Sequence, residues 1–214
     1  MSEWLQSYRE NHADFDLPSA INLLPTDPFA AFSEWFDAAV NAQEIEANAC
    51  TLSTCNTALQ VSARVLYLKE LLDNQFIFYT NYLSKKGTDL HANANASLLF
   101  FWPKMMRQVR IEGRVAPIDA AISDAYFATR PRESQLGAWA SQQSEELSSR
   151  QELIERFASY DAQFPDIVPR PPHWGGYALD AHLLEFWQGQ PSRLHERRVY
   201  KRNLNEWYSN LLNP

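Results

Sequence analysis

Apolar positions change their spacing along the chain, and each change marks a different element. Phe29, Phe32, Phe36 and Val40 recur at helical spacing behind Asp27-Pro28, a capping residue followed by proline at the first helical position. That pattern predicts an amphipathic helix to about Ala42. Residues 1–26 are polar and weakly patterned and read as an arm. From Ala49 the period becomes that of strands. Val61–Lys69 and Gln75–Asn81 are β-branched and aromatic, and Ser97–Trp102 reads as a buried strand. Ser84–Ala92 predicts a short helix capped by Ser84. Arg107–Val115 alternates most cleanly, with Val109, Ile111 and Val115 on one face and Gln108, Arg110, Glu112 and Arg114 on the other. Helical spacing returns over Asp119–Ser159 in three pieces, and the proline-rich Phe164–Pro172 reads as a connector. Trp174–Gly189 and Arg197–Tyr208 look like closing strands. Strands first, helices inserted and strands last predict an antiparallel sheet or barrel with helical decorations, a mainly β class with flanking helices.

Length and composition narrow the function more than the fold. The 214 residues are 45% apolar and 21% charged, an ordinary globular balance that excludes collagen-like and disordered classes. The six glycines form neither G-x-G-x-x-G nor G-x-x-x-x-G-K-[ST], so side chains must hold any phosphate. Net charge is −7, with −8 on residues 1–60 and +1 on the remainder. The excess acid argues against a nucleic-acid partner. Arg193–Arg202 nevertheless holds five Lys or Arg residues in ten positions, which suits a small anion. No basic-then-apolar leader is visible and no apolar run is long enough to span a bilayer, so no signal peptide and no membrane partner are expected. On one strand, Cys50 and Cys55 would lie ~16 Å apart on opposite faces, too far for a disulfide. Two free thiols fit a reducing cytoplasm. The scattered histidines offer no metal-ligand spacing, and no G-x-S-x-G elbow occurs.

Polar clusters inside apolar strands are the remaining candidates for chemistry. Arg64 and Lys69 bracket Val65, Leu66, Tyr67 and Leu68, while Tyr79-Thr80 ends the next strand. Lys85-Lys86 opens a helix, where bases oppose the dipole unless an anion sits there; a solvated face is the competing reading. Tyr126, Arg130 and Ser134 are spaced four apart and would offer a phenol, a guanidinium and a hydroxyl to one ligand. Pro131 interrupts any continuous helix, so this stripe would be a helix end plus a turn. Arg193, His195 and Arg197 alternate as though on one face of a strand, and would repel one another unless an anion or acids lie opposite.

These segments together resemble the pyridoxamine 5′-phosphate oxidase family. The matching stretches are RVLYLK (64–69), FYTNYLSKKG (78–87), RQVRIEG (107–113), SDAYFATRPRESQLGAWASQQS (123–144), PPHWGGY (171–177) and EFWQGQPSRLHERRVYKR (185–202). The resemblance implies one FMN-binding split β-barrel domain over 27–214, with helical insertions at about 119–160. It further implies a homodimer carrying FMN at its subunit interface. The implied reaction oxidises pyridoxamine or pyridoxine 5′-phosphate to pyridoxal 5′-phosphate, with dioxygen as acceptor and hydrogen peroxide as product. Carried over by position, Arg64, Val65, Leu66, Tyr67, Leu68, Lys69, Tyr79, Thr80, Lys85, Lys86, Gln108, Gln143, Ser144, Trp187 and Arg197 would hold FMN. Lys69, Tyr126, Arg130 and Ser134 would take the substrate phosphate, and Arg193, Leu194 and His195 the pyridine ring. Arg193 and His195 are the implied catalytic pair, His195 assisting proton transfer.

Several positions depart from the family pattern. Lys85 stands where Arg is usual, and Glu145-Glu146 follows Ser144 at an expected helix start. Asn56-Thr57-Ala58 replaces an Asp-Gly turn, and the chain closes Leu211-Leu212-Asn213-Pro214 where Arg-Leu-x-Pro is common. The arm around Tyr8-Arg9 matches poorly. The alternatives are another FMN split-barrel oxidase of the phenazine-biosynthesis type, and a non-catalytic FMN- or pyridoxal-phosphate-binding module. The first would keep the FMN residues and lose the substrate-phosphate set.

Overall fold

The computed structural model describes residues 17–204 and 206–214, so most of the expected arm lies outside the described residues. The fold is mainly β with flanking helices. Among the described residues, nine strands form a hydrogen-bonded order β2-β1-β5-β6-β7-β4-β3, with β8 paired to β7 and β9 to β8. They are β1 (Ala49–Cys55), β2 (Val61–Tyr67), β3 (Glu70–Leu72), β4 (Gln75–Asn81), β5 (Asn95–Trp102), β6 (Arg107–Pro117), β7 (Trp174–Gln188), β8 (Glu196–Asn203) and β9 (Glu206–Leu212). The chain divides into two compact units, and β5, β6 and β7 each contribute a segment to both.

The first unit comprises, of the described residues, those up to 47, 100–110 and those from 183 on. Its helix α1 (Pro28–Asn41) starts where expected, because Asp27 accepts from the amides of Phe29 and Ala30 and Pro28 occupies the first position. The buried stripe is Phe29, Phe32, Trp35 and Ala39. Val40, expected on that stripe, is exposed. Phe32 packs on Phe100 at 5.2 Å and Trp35 on Phe186 at 5.2 Å, edge to face. The expected single strand Arg197–Tyr208 is in fact the antiparallel hairpin β8–β9, with Asn203 opposite Glu206. Leu204 takes a left-handed φ of 55° at its turn, which no side-chain period can announce.

The second unit comprises 48–99 and 111–182. β2 ends at Tyr67, two residues earlier than expected, because the next two amides change neighbours. Leu68 N–H donates to Asn48 and Lys69 N–H to Ile77, each at 2.9 Å. The chain then enters β3, absent from the sequence reading, and turns through Asp73 and Asn74 with φ of 49° and 61°. Two consecutive positive φ values make the tight hairpin turn that joins twisted strands. Cys50 and Cys55 share β1 as free thiols, and burial raises the Cys50 pKa to about 12.

Helix α2 (Lys85–Ala92) is capped by Ser84, whose Oγ accepts from the Gly87 amide. The expected helical stretch forms three helices, α3 (Ala120–Ala128), α4 (Arg132–Ala140) and α5 (Arg150–Gln163). No helix start occurs at Ser144–Glu146, which lies in a turn with both glutamates exposed. The start is set instead by Ser149 and Glu152, a capping pair three residues apart. Phe127, Leu136, Val168 and Trp174 form a small core that fastens α3 and α4 to the head of β7.

Candidate active site

A cavity of about 700 Å³ opens in the second unit between β2, β4, the α3–α4 corner and Trp174. Lys69, Tyr126, Arg130 and Ser134 all line it, so the four-residue spacing survives the break at Pro131. α3 stops at Ala128 and α4 starts at Arg132, which leaves Arg130 on the corner between them. Tyr79, Tyr126 and Trp174 stack in near-parallel planes, with centroids 3.8 Å apart for Tyr79–Tyr126 and 5.4 Å for Tyr79–Trp174. The Arg130 guanidinium lies 4.7 Å from the Trp174 ring and 5.5 Å from Phe127. Its Nη1 is buried and has no hydrogen-bond partner. Burial lowers the Arg130 pKa, Tyr126 opposing that shift. A buried guanidinium nitrogen without a partner is costly, and Arg130 as a residue lines the cavity, where an anion would pair with its charge. Lys69 is exposed, its ammonium 5.0 Å from the Tyr67 ring.

A second cationic pole lies in the same unit. The Arg64 guanidinium donates to the Leu52 carbonyl and Thr54 Oγ1 at 3.0 Å and to Ser62 Oγ at 2.6 Å. Lys85 pairs with the buried Asp89 at 3.1 Å. Lys86 donates to Gln143 Oε1 at 2.9 Å, and Thr80 donates to that same oxygen at 3.4 Å. Burial, and then the charge of Arg64, lower the Lys86 pKa to about 8. Gln143 lines the cavity and so joins this pole to it. Val65, Leu66 and Tyr67 border the cavity along β2, while Leu68 is buried. Ser144 follows Gln143 in an exposed turn with φ of 78°.

The remaining expected site residues belong to the first unit. Gln108 sits half-buried on β6. Trp187 and Arg197 are register partners on β7 and β8. Arg197 grips Glu185 Oε1 through Nε at 2.9 Å and Nη2 at 2.7 Å, and Arg110 takes Oε2 at 2.5 Å. Arg193, His195 and Arg197 do not share a strand face. Pro191–Arg193 is a helical turn with Ser192 and Arg193 at φ of 58° and 62°, and β8 begins only at Glu196. The left-handed backbone of Ser192 and Arg193 breaks the extended run that the alternation suggested. Arg193 and Leu194 are exposed. The His195 ring lies 4.8 Å from Trp187, and its Nδ1 accepts from the Gln190 amide at 3.1 Å. A neutral ring held this way carries its proton on Nε2 and donates there.

Sequence reasoning missed Asp89, Glu185 and Trp174. Glu185 had a signal, an acid set among the apolar Leu183, Leu184, Phe186 and Trp187, and Asp89 stands four residues from Lys85 on one helix.

Comparisons with known proteins identify the family. Residues 36–163 match the family model described as pyridoxamine 5′-phosphate oxidase. Residues 174–214 match the pyridoxine 5′-phosphate oxidase C-terminal dimerisation region. A pyridoxine/pyridoxamine 5′-phosphate oxidase of Cupriavidus necator is 53% identical over 175 residues, 82% of each chain. One from Thermosynechococcus vestitus is 50% identical over 188 residues, 88% of this chain and 89% of that one. Among solved structures, PhzG from Burkholderia lata, in complex with tetrahydrophenazine-1-carboxylic acid, has a TM-score of 0.88 at 30% identity. That match covers 94% of this chain and all of the other. A pyridoxamine 5′-phosphate oxidase-related, FMN binding protein from Nostoc punctiforme matches in fold, with a TM-score of 0.71 at 19% identity over 88% and 98% of the chains. Fold and sequence agree: the chain is a split-barrel member of the pyridoxamine 5′-phosphate oxidase family.

Proposed function

We propose that the protein oxidises pyridoxamine or pyridoxine 5′-phosphate to pyridoxal 5′-phosphate, with FMN as cofactor and dioxygen as final acceptor. The observation that carries this reading is Arg130, a guanidinium on the wall of a cavity that also meets a second, separate cationic pole. Two phosphate monoesters need two such poles. The residues present fit FMN: Arg64, Lys85 and Lys86 would hold its phosphate, and β2 with Thr80 and Gln143 would border its ring. When bound, FMN accepts the hydrogen removed at the substrate 4′ carbon and returns the electrons to dioxygen, giving hydrogen peroxide.

The protein's own work is binding, orientation and exclusion of water. Arg130, Lys69, Tyr126 and Ser134 would grip the substrate phosphate at the aromatic end of the cavity. Gln108, Trp187 and Arg197 of the first unit are assigned to FMN. Arg193, Leu194 and His195 are assigned to the substrate ring, with His195 donating a hydrogen bond from Nε2. The dimerisation-region match supports a homodimer. A phenazine-type substrate is disfavoured because relatives named for the vitamin B6 reaction reach 53% identity against 30% for PhzG.

Anaerobic mixing of the FMN-loaded protein with pyridoxamine 5′-phosphate tests the proposal. Bleaching of the visible flavin band, followed by peroxide on admitting air, is expected. Tight binding of the substrate without bleaching would show a binding module rather than an oxidase.

A further inference from the structure

The FMN-phosphate pole contains one group that no assigned role uses. Asp89 lies on α2, one turn beyond Lys85, and is 4% exposed. Its carboxylate collects hydrogen bonds from both elements of the pole. Lys85 Nζ reaches Oδ1 and Oδ2 at 3.1 Å each. Thr54 Oγ1 donates to Oδ2 at 2.8 Å and Ser62 Oγ at 3.2 Å. Those two hydroxyls are also the acceptors of the Arg64 guanidinium, Nη1 to Thr54 at 3.0 Å and Nη2 to Ser62 at 2.6 Å. A continuous relay therefore runs from Arg64 on β2, through two hydroxyls on β2 and β1, to Asp89 on α2 and back to Lys85.

We propose that Asp89 is a positioning residue for phosphate capture, fixing Arg64 and Lys85 so that the pole matches a phosphate monoester dianion. The inference deepens the reading that this pole takes the FMN phosphate and rests on it. Arg64, Lys85 and Lys86 carry three positive charges, and the buried carboxylate leaves a net of two, the charge of a phosphate monoester at neutral pH. Without Asp89 the three cations would repel, and Arg64 and Lys85 would lose the partner that orders them. Burial alone would favour a protonated carboxyl. Hydrogen bonds from Thr54, Lys85 and Ser62, with the Lys85 charge, outweigh it and hold the Asp89 pKa below the usual range.

Electrostatics gives the test a sign. Removing a negative charge beside a phosphate site strengthens anion binding if the acid is a bystander, and weakens it if the acid positions the cations. Fluorescence titration of the apoprotein with FMN and with riboflavin separates the two, since riboflavin shares the ring and lacks the phosphate. For Asp89→Asn the expectation is a loss of FMN affinity of at least about tenfold with riboflavin affinity unchanged. Asp89→Glu, which restores the charge, should recover part of the FMN affinity. Should Asp89→Asn not fold, Ser62→Ala removes one arm of the relay and should show a smaller loss with the same ligand selectivity. Unchanged or tighter FMN binding would overturn the proposal, as would an equal loss for both ligands. Wild-type protein that binds riboflavin as tightly as FMN would instead refute the assignment of the pole itself, and the proposal with it.

Discussion

Lys86 and Arg130 show how a single cation can be kept ready for an anion. Each is withdrawn from water, and in each case burial is the largest influence lowering the pKa. For Lys86 the consequence falls within reach of ordinary buffers. Its pKa of about 8 in the free protein must rise when a phosphate binds, because the anion favours the ammonium. The protonated form is therefore the binding form. FMN affinity should be constant from about pH 7, where the FMN phosphate is a dianion, to about pH 8 and fall above it, by up to about tenfold per pH unit until the bound-state pKa is passed. The other charged groups of the pole are Arg64 on β2 and Lys85 and Asp89 on the same helix; Gln143 and Ser84, which accept from the Lys86 ammonium, are neutral. Titrating FMN into the apoprotein across that range checks this, and Lys86→Met should flatten the profile.

The α3–α4 corner and the head of β7 act together as an element. Phe127 is 1% exposed and packs against Trp174 at 5.1 Å, the ring on which Arg130 rests. Phe127→Ala should cost about 3–5 kcal/mol of stability, read from denaturant unfolding, and should weaken substrate binding through Trp174 and Arg130. Local signals made much of this architecture legible beforehand. Ser84 as a cap and the alternation of Arg107–Val115 need only nearest neighbours, and both elements form where expected. Tyr126, Arg130 and Ser134 could be grouped because helical spacing nearly survives Pro131. What stayed hidden depends on backbone φ or on distant partners. The turn at Asp73-Asn74, the break at Ser192-Arg193 and the hairpin at Leu204 rest on left-handed residues that interrupt an unbroken side-chain period. Asp89 and Glu185 read as ordinary acids until folding sets each between two cationic side chains, directly or through hydroxyls.

At the scale of the whole molecule, the account rests on a division of labour. One cationic pole, on β2 and α2, serves the cofactor phosphate, and another, on the α3–α4 corner, serves the substrate phosphate. Both lie within the second compact unit, whereas the first unit holds the residues assigned to the substrate ring, three of those assigned to FMN (Gln108, Trp187 and Arg197) and most of the matched dimerisation region. A protein that held a single anion, or used both poles for one ligand, would present the same net charge and the same fold. Crossing two substitutions with two ligands is the most direct measurement. Lys86→Met and Arg130→Met are each assayed for the Kd of FMN and, at saturating FMN, the KM of pyridoxamine 5′-phosphate. The account predicts that Lys86→Met weakens FMN by about tenfold or more and leaves that KM in place, while Arg130→Met raises the KM by a similar factor and leaves FMN binding intact. Both substitutions weakening the same ligand, with the other unaffected, would contradict it.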